Sequence, residues 1–124
     1  MVERRVLVVE DSPDLRLLFA RVLRRGGLAH EVVADAASAI DALEAGGYGV
    51  VLLDKGLGVS SGFDVLAHLR AHPHLRATRV IMVSGDSPQA GPGGLEPDRY
   101  LMKPVGVDEL LSAVEAELAL AEPA

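Results

Sequence analysis

Residues 50–54 read VVLLD, a short apolar run, rich in branched side chains, that ends in a carboxylate. The same pattern occurs in VLVVED at residues 6–11, and a third run, VIMVS, occupies residues 80–84. Short apolar runs that are bounded by polar or glycine residues and separated by helical patterns are typical of parallel strands buried on both faces. They predict strands at about Arg5–Val9, Gly49–Leu53 and Arg79–Val83.

The rest of the chain completes a series of strand–helix units. Ser12 and Pro13 have the residue types of a helix cap and first turn, and apolar residues recur at helical spacing after them until Gly26 and Gly27. The remaining predicted elements are strands at about His30–Ala34 and Arg99–Met102, helices from about Ala36 to Gly46 and from about Phe63 to Ala71, and a last helix after Pro104.

Alternating strands and helices at this spacing predict an α/β fold with a doubly wound parallel sheet. We expect a flavodoxin-like sheet of five strands in the order 2-1-3-4-5, with helices on both faces. Residues 85–98 interrupt the pattern, because seven of these fourteen positions are glycine or proline. The helix between the fourth and fifth strands is therefore predicted to be short or irregular.

Composition narrows the class of protein. With 124 residues, no cysteine and a net charge of −6, the chain is expected to form one domain, residues 1–124, without disulfides or cysteine-bound zinc. The net negative charge is unfavourable for direct nucleic-acid binding, which neutralises phosphates with basic side chains. The apolar runs are too short for membrane insertion, so we expect a cytoplasmic protein.

Reactive side chains follow the strands of the predicted sheet. Glu10 and Asp11 follow the first strand, Asp54 the third, Ser84 the fourth and Lys103 the fifth. Parallel strands bring these ends to one edge, where three carboxylates are favourable for a hard cation such as Mg²⁺. A lysine and a hydroxyl beside them indicate phosphoryl transfer, with Asp54 as the candidate nucleophile.

At these positions the sequence resembles the receiver domain of two-component response regulators. The resemblance covers essentially the whole chain and rests on Glu10-Asp11-Ser-Pro, on Val-Leu-Leu-Asp54 with Gly62 eight residues later, on Ser84, and on Tyr100-Leu-Met-Lys103-Pro104. It implies a signalling protein that is switched on when Asp54 accepts a phosphoryl group from a histidine kinase, a phosphotransfer protein or a small acyl phosphate. Such a protein is not an enzyme, since it only modifies itself and slowly loses the phosphoryl group.

The resemblance also assigns the other site residues. Asp11, Asp54 and the backbone carbonyl of Gly56 would bind Mg²⁺, and Glu10 would join through water. Lys103 would pair with the acyl phosphate, and Ser84 and Tyr100 would form a hydroxyl and aromatic switch. The Lys103–Pro104 bond would be cis. Because the chain stops after the last helix, we expect a stand-alone receiver with an unknown downstream protein target, or a piece of a longer protein.

Two departures from the family pattern support an alternative, a phosphorylation-independent interaction module. The family commonly has Met-Pro shortly after the acceptor aspartate, whereas this chain has Leu57-Gly58. The second departure is the glycine- and proline-rich segment 85–98, which belongs to the usual output face of the family.

Three other sequence patterns suggest functional sites, but we do not assign a function to them. The glycines at residues 56–62 mimic a dinucleotide-binding loop, but Asp54 would repel a pyrophosphate and no acid ends the next strand. An aspartyl phosphatase would need a second Asp where Gly56 stands. His68, His72 and His74 have a spacing that can bind metal, but they lie off the apolar stripe and are expected to be solvated surface.

Overall fold

The computed structural model describes residues 5–121, so residues 1–4 and 122–124 of the predicted single domain lie outside the described residues. The strands are β1 (Arg5–Val9), β2 (His30–Val33), β3 (Tyr48–Asp54), β4 (Gly56–Leu57), β5 (Ser60–Ser61), β6 (Arg79–Ser84) and β7 (Arg99–Met102). The α-helices are α1 (Pro13–Arg25), α2 (Ala36–Ala45), α3 (Gly62–Ala71) and α4 (Val107–Leu120). Two 3₁₀ turns lie at Pro73–Leu75 and Pro92–Gly94.

The main sheet confirms the predicted fold class. Its five strands are all parallel in the order β2-β1-β3-β6-β7, which is the predicted 2-1-3-4-5 order of the main strands. Val9 pairs with Leu53, and Asp54 pairs with Val83. The ends of β1, β3 and β6 therefore meet at one edge, next to the switch point between β1 and β3.

Alternate side chains of each central strand enter two separate cores. Val6 and Val8 pack with α1 and α4 on one face of the sheet, whereas Leu7 and Val9 pack with α2 and α3 on the other. The Oγ of Ser12 accepts a hydrogen bond from the Leu15 N–H at 3.4 Å and caps α1, as its residue type predicts. Among residues 5–121, no helix has the length and apolar character needed to cross a membrane.

The strand ends differ slightly from the sequence expectations. Asp54 and Ser84 are the last residues of β3 and β6 rather than the residues that follow them. The loop after Asp54 also forms an unpredicted antiparallel hairpin of β4 and β5, in which Gly56 pairs with Ser61. Two-residue strands have too little periodicity to be recognised in a sequence.

The crossover between β6 and β7 contains no α-helix, which confirms the prediction for residues 85–98. Its last residues are bound to the sheet by Asp98. The Asp98 N–H donates to the Val80 carbonyl at 2.9 Å, and the Asp98 carboxylate accepts the Val80 N–H at 2.7 Å. These two bonds extend the pairing of β6 and β7 by one residue beyond the strand.

The middle of the crossover packs closely on α3. Gly91 lies so near the ring of Phe63 that a Cβ atom at this position would collide with it. The Gly91 N–H also donates to the Leu95 carbonyl at 2.7 Å, closing a short loop around the 3₁₀ turn. Glycine at residue 91 therefore permits a contact that replaces part of the packing of a helix.

A buried carboxylate stabilises the opposite edge of the sheet. The Glu117 side chain on α4 is 3% exposed and accepts hydrogen bonds from the Nε atoms of Arg79, at 2.8 Å, and Arg99, at 3.0 Å. Because burying an unpaired carboxylate is costly, both arginines are needed to keep Glu117 inside the fold. The three side chains join α4 to the first residues of β6 and β7.

Candidate functional site

The structure brings three carboxylates together at the ends of β1 and β3. Glu10, Asp11 and Asp54 each offer an oxygen, and these oxygens all lie within 4.8 Å of one another. Glu10 and Asp54 are buried, whereas Asp11 is exposed at the mouth of the site. Only oxygen ligands are available here, and this donor set is suited to a hard divalent cation.

Glu10 is the most deeply buried member of the cluster, with 1% of the residue exposed. Its Oε2 accepts the Ser12 N–H at 3.1 Å, while its buried Oε1 has no hydrogen-bond partner and lies 3.4 Å from the Nζ of Lys103. Burial raises the pKa of Glu10, and neighbouring Asp54 adds more to this rise than Ser12 and Lys103 take away, so the resulting pKa is about 7. A buried oxygen without a hydrogen bond, next to a second carboxylate, fits a position that faces a cation.

Lys103 supplies the positive charge that the cluster lacks. Its Nζ donates to Oδ1 of Asp54 at 3.2 Å, and its backbone N–H donates to the Ser84 carbonyl at 2.8 Å. Burial alone would lower the pKa of Lys103, but the charges of Asp54 and Glu10 outweigh burial and raise it. Lys103 is therefore a cation held directly against the candidate nucleophile.

Ser84 and Tyr100 lie on the neighbouring strands β6 and β7, and the hydrogen bonds of their side chains go to the crossover rather than to Asp54. The buried Ser84 Oγ accepts the Asp86 N–H at 3.0 Å. The Tyr100 hydroxyl donates to the Gln89 carbonyl at 2.5 Å, so the ring is tied to the crossover. Burial, followed by the charge of Glu96, raises the pKa of Tyr100, which keeps the hydroxyl protonated as a donor.

Two glycines shape the loop beyond Asp54. Gly56 is exposed at the start of β4, and its N–H donates to Oδ1 of Asp54 at 3.4 Å. Gly62 begins α3 so close to the Asp54 carbonyl that an added Cβ would collide with that oxygen. Gly62 therefore allows α3 to start directly against β3, which explains its place eight residues after the candidate nucleophile.

The bond between Lys103 and Pro104 is cis, as the resemblance implies. Pro104 also lines an apolar groove of about 350 Å³ beside the site, together with Leu15, Leu18, Phe19, Lys103 and Val105. The groove lies between α1 and the connection from β7 to α4.

Sequence reasoning missed a residue that shapes the acidic loop. Arg16 donates from Nη1 to the carbonyls of Glu10, at 2.9 Å, and Asp11, at 3.0 Å. The guanidinium holds the backbone on which two of the three carboxylates stand. The sequence feature that could have revealed this contact is the position of Arg16 one turn into α1, from which a long side chain can reach back over the preceding loop.

Comparison with known proteins agrees with this geometry. Residues 6–115 match the family described as the response regulator receiver domain. The transcriptional regulatory protein TcrA of Mycobacterium tuberculosis is 36% identical over 115 residues, which cover 90% of this chain and 45% of TcrA. The sensory transduction protein RegX3 of Mycolicibacterium smegmatis is 40% identical over 116 residues, covering 91% of this chain and 50% of RegX3. The chain thus spans about half the length of these curated relatives.

Solved structures show the same fold. A sensor protein from Polaromonas sp. JS666 has a TM-score of 0.87 at 23% identity, and the match covers 96% of this chain and 98% of that one. The receiver domain of sensor histidine kinase PA1611 from Pseudomonas aeruginosa has a TM-score of 0.84 at 25% identity, covering 95% and 99% of the two chains. That structure is described with a magnesium ion coordinated in its active site cleft. By its match over residues 6–115, this chain belongs to the response regulator receiver domain family of two-component systems.

Proposed function

We propose that the chain is a phosphoacceptor switch of a two-component phosphorelay and that residues 1–124 act as one receiver domain in the cytoplasm. The observation that carries this proposal is the position of Asp54, a buried carboxylate within an acidic cluster and 3.2 Å from the Nζ of Lys103. A carboxylate held between a cation and a possible metal site has the arrangement that an aspartyl nucleophile requires.

The proposed step transfers a phosphoryl group from a phosphohistidine of a sensor histidine kinase or a phosphotransfer protein. An Oδ atom of Asp54 attacks phosphorus, the new O–P bond forms, and the N–P bond to the donor imidazole breaks with its electron pair returning to nitrogen. Lys103 pairs with the negative charge of the transferred group. The chain acts on itself in this step rather than on a separate metabolite.

Glu10, Asp11, Asp54 and the Gly56 carbonyl are the residues that would hold Mg²⁺. The bound ion would supply charge neutralisation to the phosphoryl oxygens. The fit rests on the three converging carboxylates and on the buried Glu10 oxygen without a hydrogen bond.

The proposed response uses the two residues whose side chains hydrogen-bond to the crossover rather than to Asp54. Ser84 would exchange its bond with the Asp86 N–H for a phosphoryl oxygen, and Tyr100 would leave the Gln89 carbonyl and move inward behind it. Phosphorylation then shifts an existing equilibrium of the crossover. A downstream protein would read this change.

Intact mass spectrometry with acetyl phosphate and Mg²⁺ tests the proposal, together with the spectral response to beryllofluoride, a stable mimic. We expect wild type and Asp41→Asn, a control on the exposed side of α2, to gain one phosphoryl mass and to respond to beryllofluoride. Asp54→Asn should do neither. If wild type gains no phosphoryl mass and shows no spectral response to beryllofluoride, the proposal is wrong.

A phosphorylation-independent interaction module is the second candidate function. The observation that favours it is the crossover between β6 and β7, which forms no α-helix on the face where the family usually signals. This alternative predicts that Asp54→Asn binds the downstream partner as tightly as wild type does. A phosphoacceptor switch predicts that beryllofluoride changes the affinity of wild type and leaves that of the variant unchanged.

A further inference from the structure

Both hydroxyls of the proposed switch are bound to the same short segment of the crossover between β6 and β7. The Ser84 Oγ accepts the Asp86 N–H at 3.0 Å, and the Tyr100 hydroxyl donates to the Gln89 carbonyl at 2.5 Å. Residues 85–90 are all exposed, and a Cβ added at Gly85 would enter open space. Polar contacts rather than buried apolar side chains therefore set the position of this segment.

An ion pair joins the segment to the residue that follows the candidate nucleophile. The Nζ of Lys55 lies 3.5 Å from Oδ2 of Asp86, and the two side chains are 29% and 77% exposed. The Lys55 backbone is fixed on both sides, because its N–H donates to the Val83 carbonyl at 3.0 Å and its carbonyl accepts the Gly62 N–H at 2.8 Å. The lysine side chain thus extends from a fixed point at the end of β3 to a residue of the exposed segment.

We propose that Lys55 is a positioning residue of the switch, which holds Asp86 in place so that the Ser84 hydroxyl stays bound to the Asp86 N–H. This role rests on the proposed function, because it concerns how the same site is regulated. While the ion pair is formed, the Ser84 hydroxyl is occupied and the unphosphorylated conformer is favoured. Ser84 turns to a phosphoryl oxygen only when the backbone at Asp86 moves away from it.

The expected strength of this restraint is suited to a reversible switch. An ion pair between partly exposed side chains changes an equilibrium constant by about fivefold at most. A ligand that binds only a minor conformer binds more tightly when the population of that conformer rises. Loss of the Lys55 charge should therefore tighten the binding of such a ligand by about two- to fivefold.

Beryllofluoride in saturating Mg²⁺, titrated by NMR, is the probe, because an anion separates this restraint from a simple effect of charge. Removal of a positive charge beside the site weakens anion binding through electrostatics, whereas removal of the restraint tightens it. We expect Lys55→Met to bind beryllofluoride about two- to fivefold more tightly than wild type. Lys55→Arg keeps the charge and should bind as wild type does. Arg25→Met is the matched control, because it removes one positive charge from the last turn of α1, and it should also bind as wild type does.

Two further measurements show whether Lys55 acts through Ser84. In Ser84→Ala there is no hydroxyl to hold, so the addition of Lys55→Met should give no tightening of beryllofluoride binding. Without beryllofluoride, the Asp86 amide should exchange with solvent about two- to fivefold faster in Lys55→Met than in wild type, because its bond to Ser84 opens more often.

The possible failures of the two proposals are distinguishable. Equal or weaker beryllofluoride binding in Lys55→Met, the same tightening with and without the Ser84 hydroxyl, or unchanged exchange of the Asp86 amide would each overturn the role of Lys55. These results would leave the phosphoacceptor proposal intact. A wild-type protein that does not bind beryllofluoride would overturn both.

Discussion

Replacing Glu10 with glutamine should stabilise the metal-free protein at pH 8 and change its stability by less than about 1 kcal/mol at pH 5. Burial raises the pKa of Glu10 from 4.5 to about 7 in the folded state. Between these values the folded protein holds a proton that the unfolded chain releases. The stability contributed by this proton is fully present below about pH 4.5 and is lost as the pH rises through 7.

The size of the effect follows from the shift in pKa. One unit corresponds to about 1.4 kcal/mol, so the shift of Glu10 from 4.5 to about 7 is worth at most about 3.5 kcal/mol of free energy of unfolding. Glutamine is a neutral substitute for the protonated glutamic acid, and it has no proton to lose. Glu10→Gln should therefore exceed wild type by up to about 3 kcal/mol at pH 8.

Urea unfolding followed by far-ultraviolet circular dichroism, in the presence of EDTA, measures this difference at both pH values. Glu115→Gln is a matched control, because Glu115 is exposed on α4 and its replacement should give the wild-type pH dependence. If wild type and Glu10→Gln lose the same stability between pH 5 and pH 8, the reasoning about Glu10 is refuted.

The Glu10 proton should also oppose metal binding at the acidic cluster. With a pKa of about 7, a cation that requires the ionised carboxylate should bind about tenfold more weakly at pH 6 than at pH 8. Titration of wild type with Mg²⁺ at the two pH values measures this ratio. Glu10→Gln should bind Mg²⁺ more weakly than wild type at pH 8, and its affinity should change little between pH 8 and pH 6. If the variant keeps the tenfold ratio between the two pH values, the proton belongs to another group.

Three further changes test other parts of the structure. Glu117→Ala leaves two arginines facing a cavity and should lower the free energy of unfolding by about 2–3 kcal/mol, as measured in urea; a loss below about 1 kcal/mol would contradict the importance of this network. Gly91→Ala forces a Cβ against the Phe63 ring of α3 and should lower the free energy of unfolding by about 1–3 kcal/mol. Gly85→Ala adds its Cβ to open space and should lower it less, so equal losses in the two variants would refute the close contact at Gly91. Gly56→Arg and Asp86→Ala should each lengthen the half-life of the phosphorylated protein several-fold, because Gly56 leaves the site open to water and Asp86 can orient a water molecule. The decay is followed by intact mass, and an unchanged half-life would count against this explanation.

The main sheet and the location of the site were predictable from sequence because both depend on local patterns. Short apolar runs marked β1, β3 and β6, and the parallel arrangement alone required their ends to share an edge. Glu10, Asp11 and Asp54 could therefore be placed together from the sequence alone. The irregular crossover was predictable for the same reason, since glycine and proline disfavour a helix wherever they occur.

The contacts that sequence reasoning missed all depend on long side chains or on residues far apart in the chain. The Arg16 guanidinium bonds to the carbonyls behind the acidic residues, a contact that no periodicity reports. Glu44 lies 24 residues from His68 and meets it only because α2 packs beside α3. Asp98 likewise pairs with Val80 across the crossover, so its role appears only when β6 and β7 are aligned.

The way in which the crossover is fastened has a consequence for local opening. Asp98 bonds to β6 at its end and Gly91 packs on α3 at its middle, whereas residues 85–90 are all exposed and are held by polar contacts such as the bond from the Tyr100 hydroxyl to the Gln89 carbonyl. A segment with few buried contacts opens at a much smaller free energy than the sheet beneath it, so its amides should exchange with solvent long before those of β6. A partner that binds residues 85–90 must order them, and the free-energy cost of this ordering weakens the observed affinity. Affinity for such a partner is therefore adjustable by substitutions that stiffen residues 85–90 without touching Asp54.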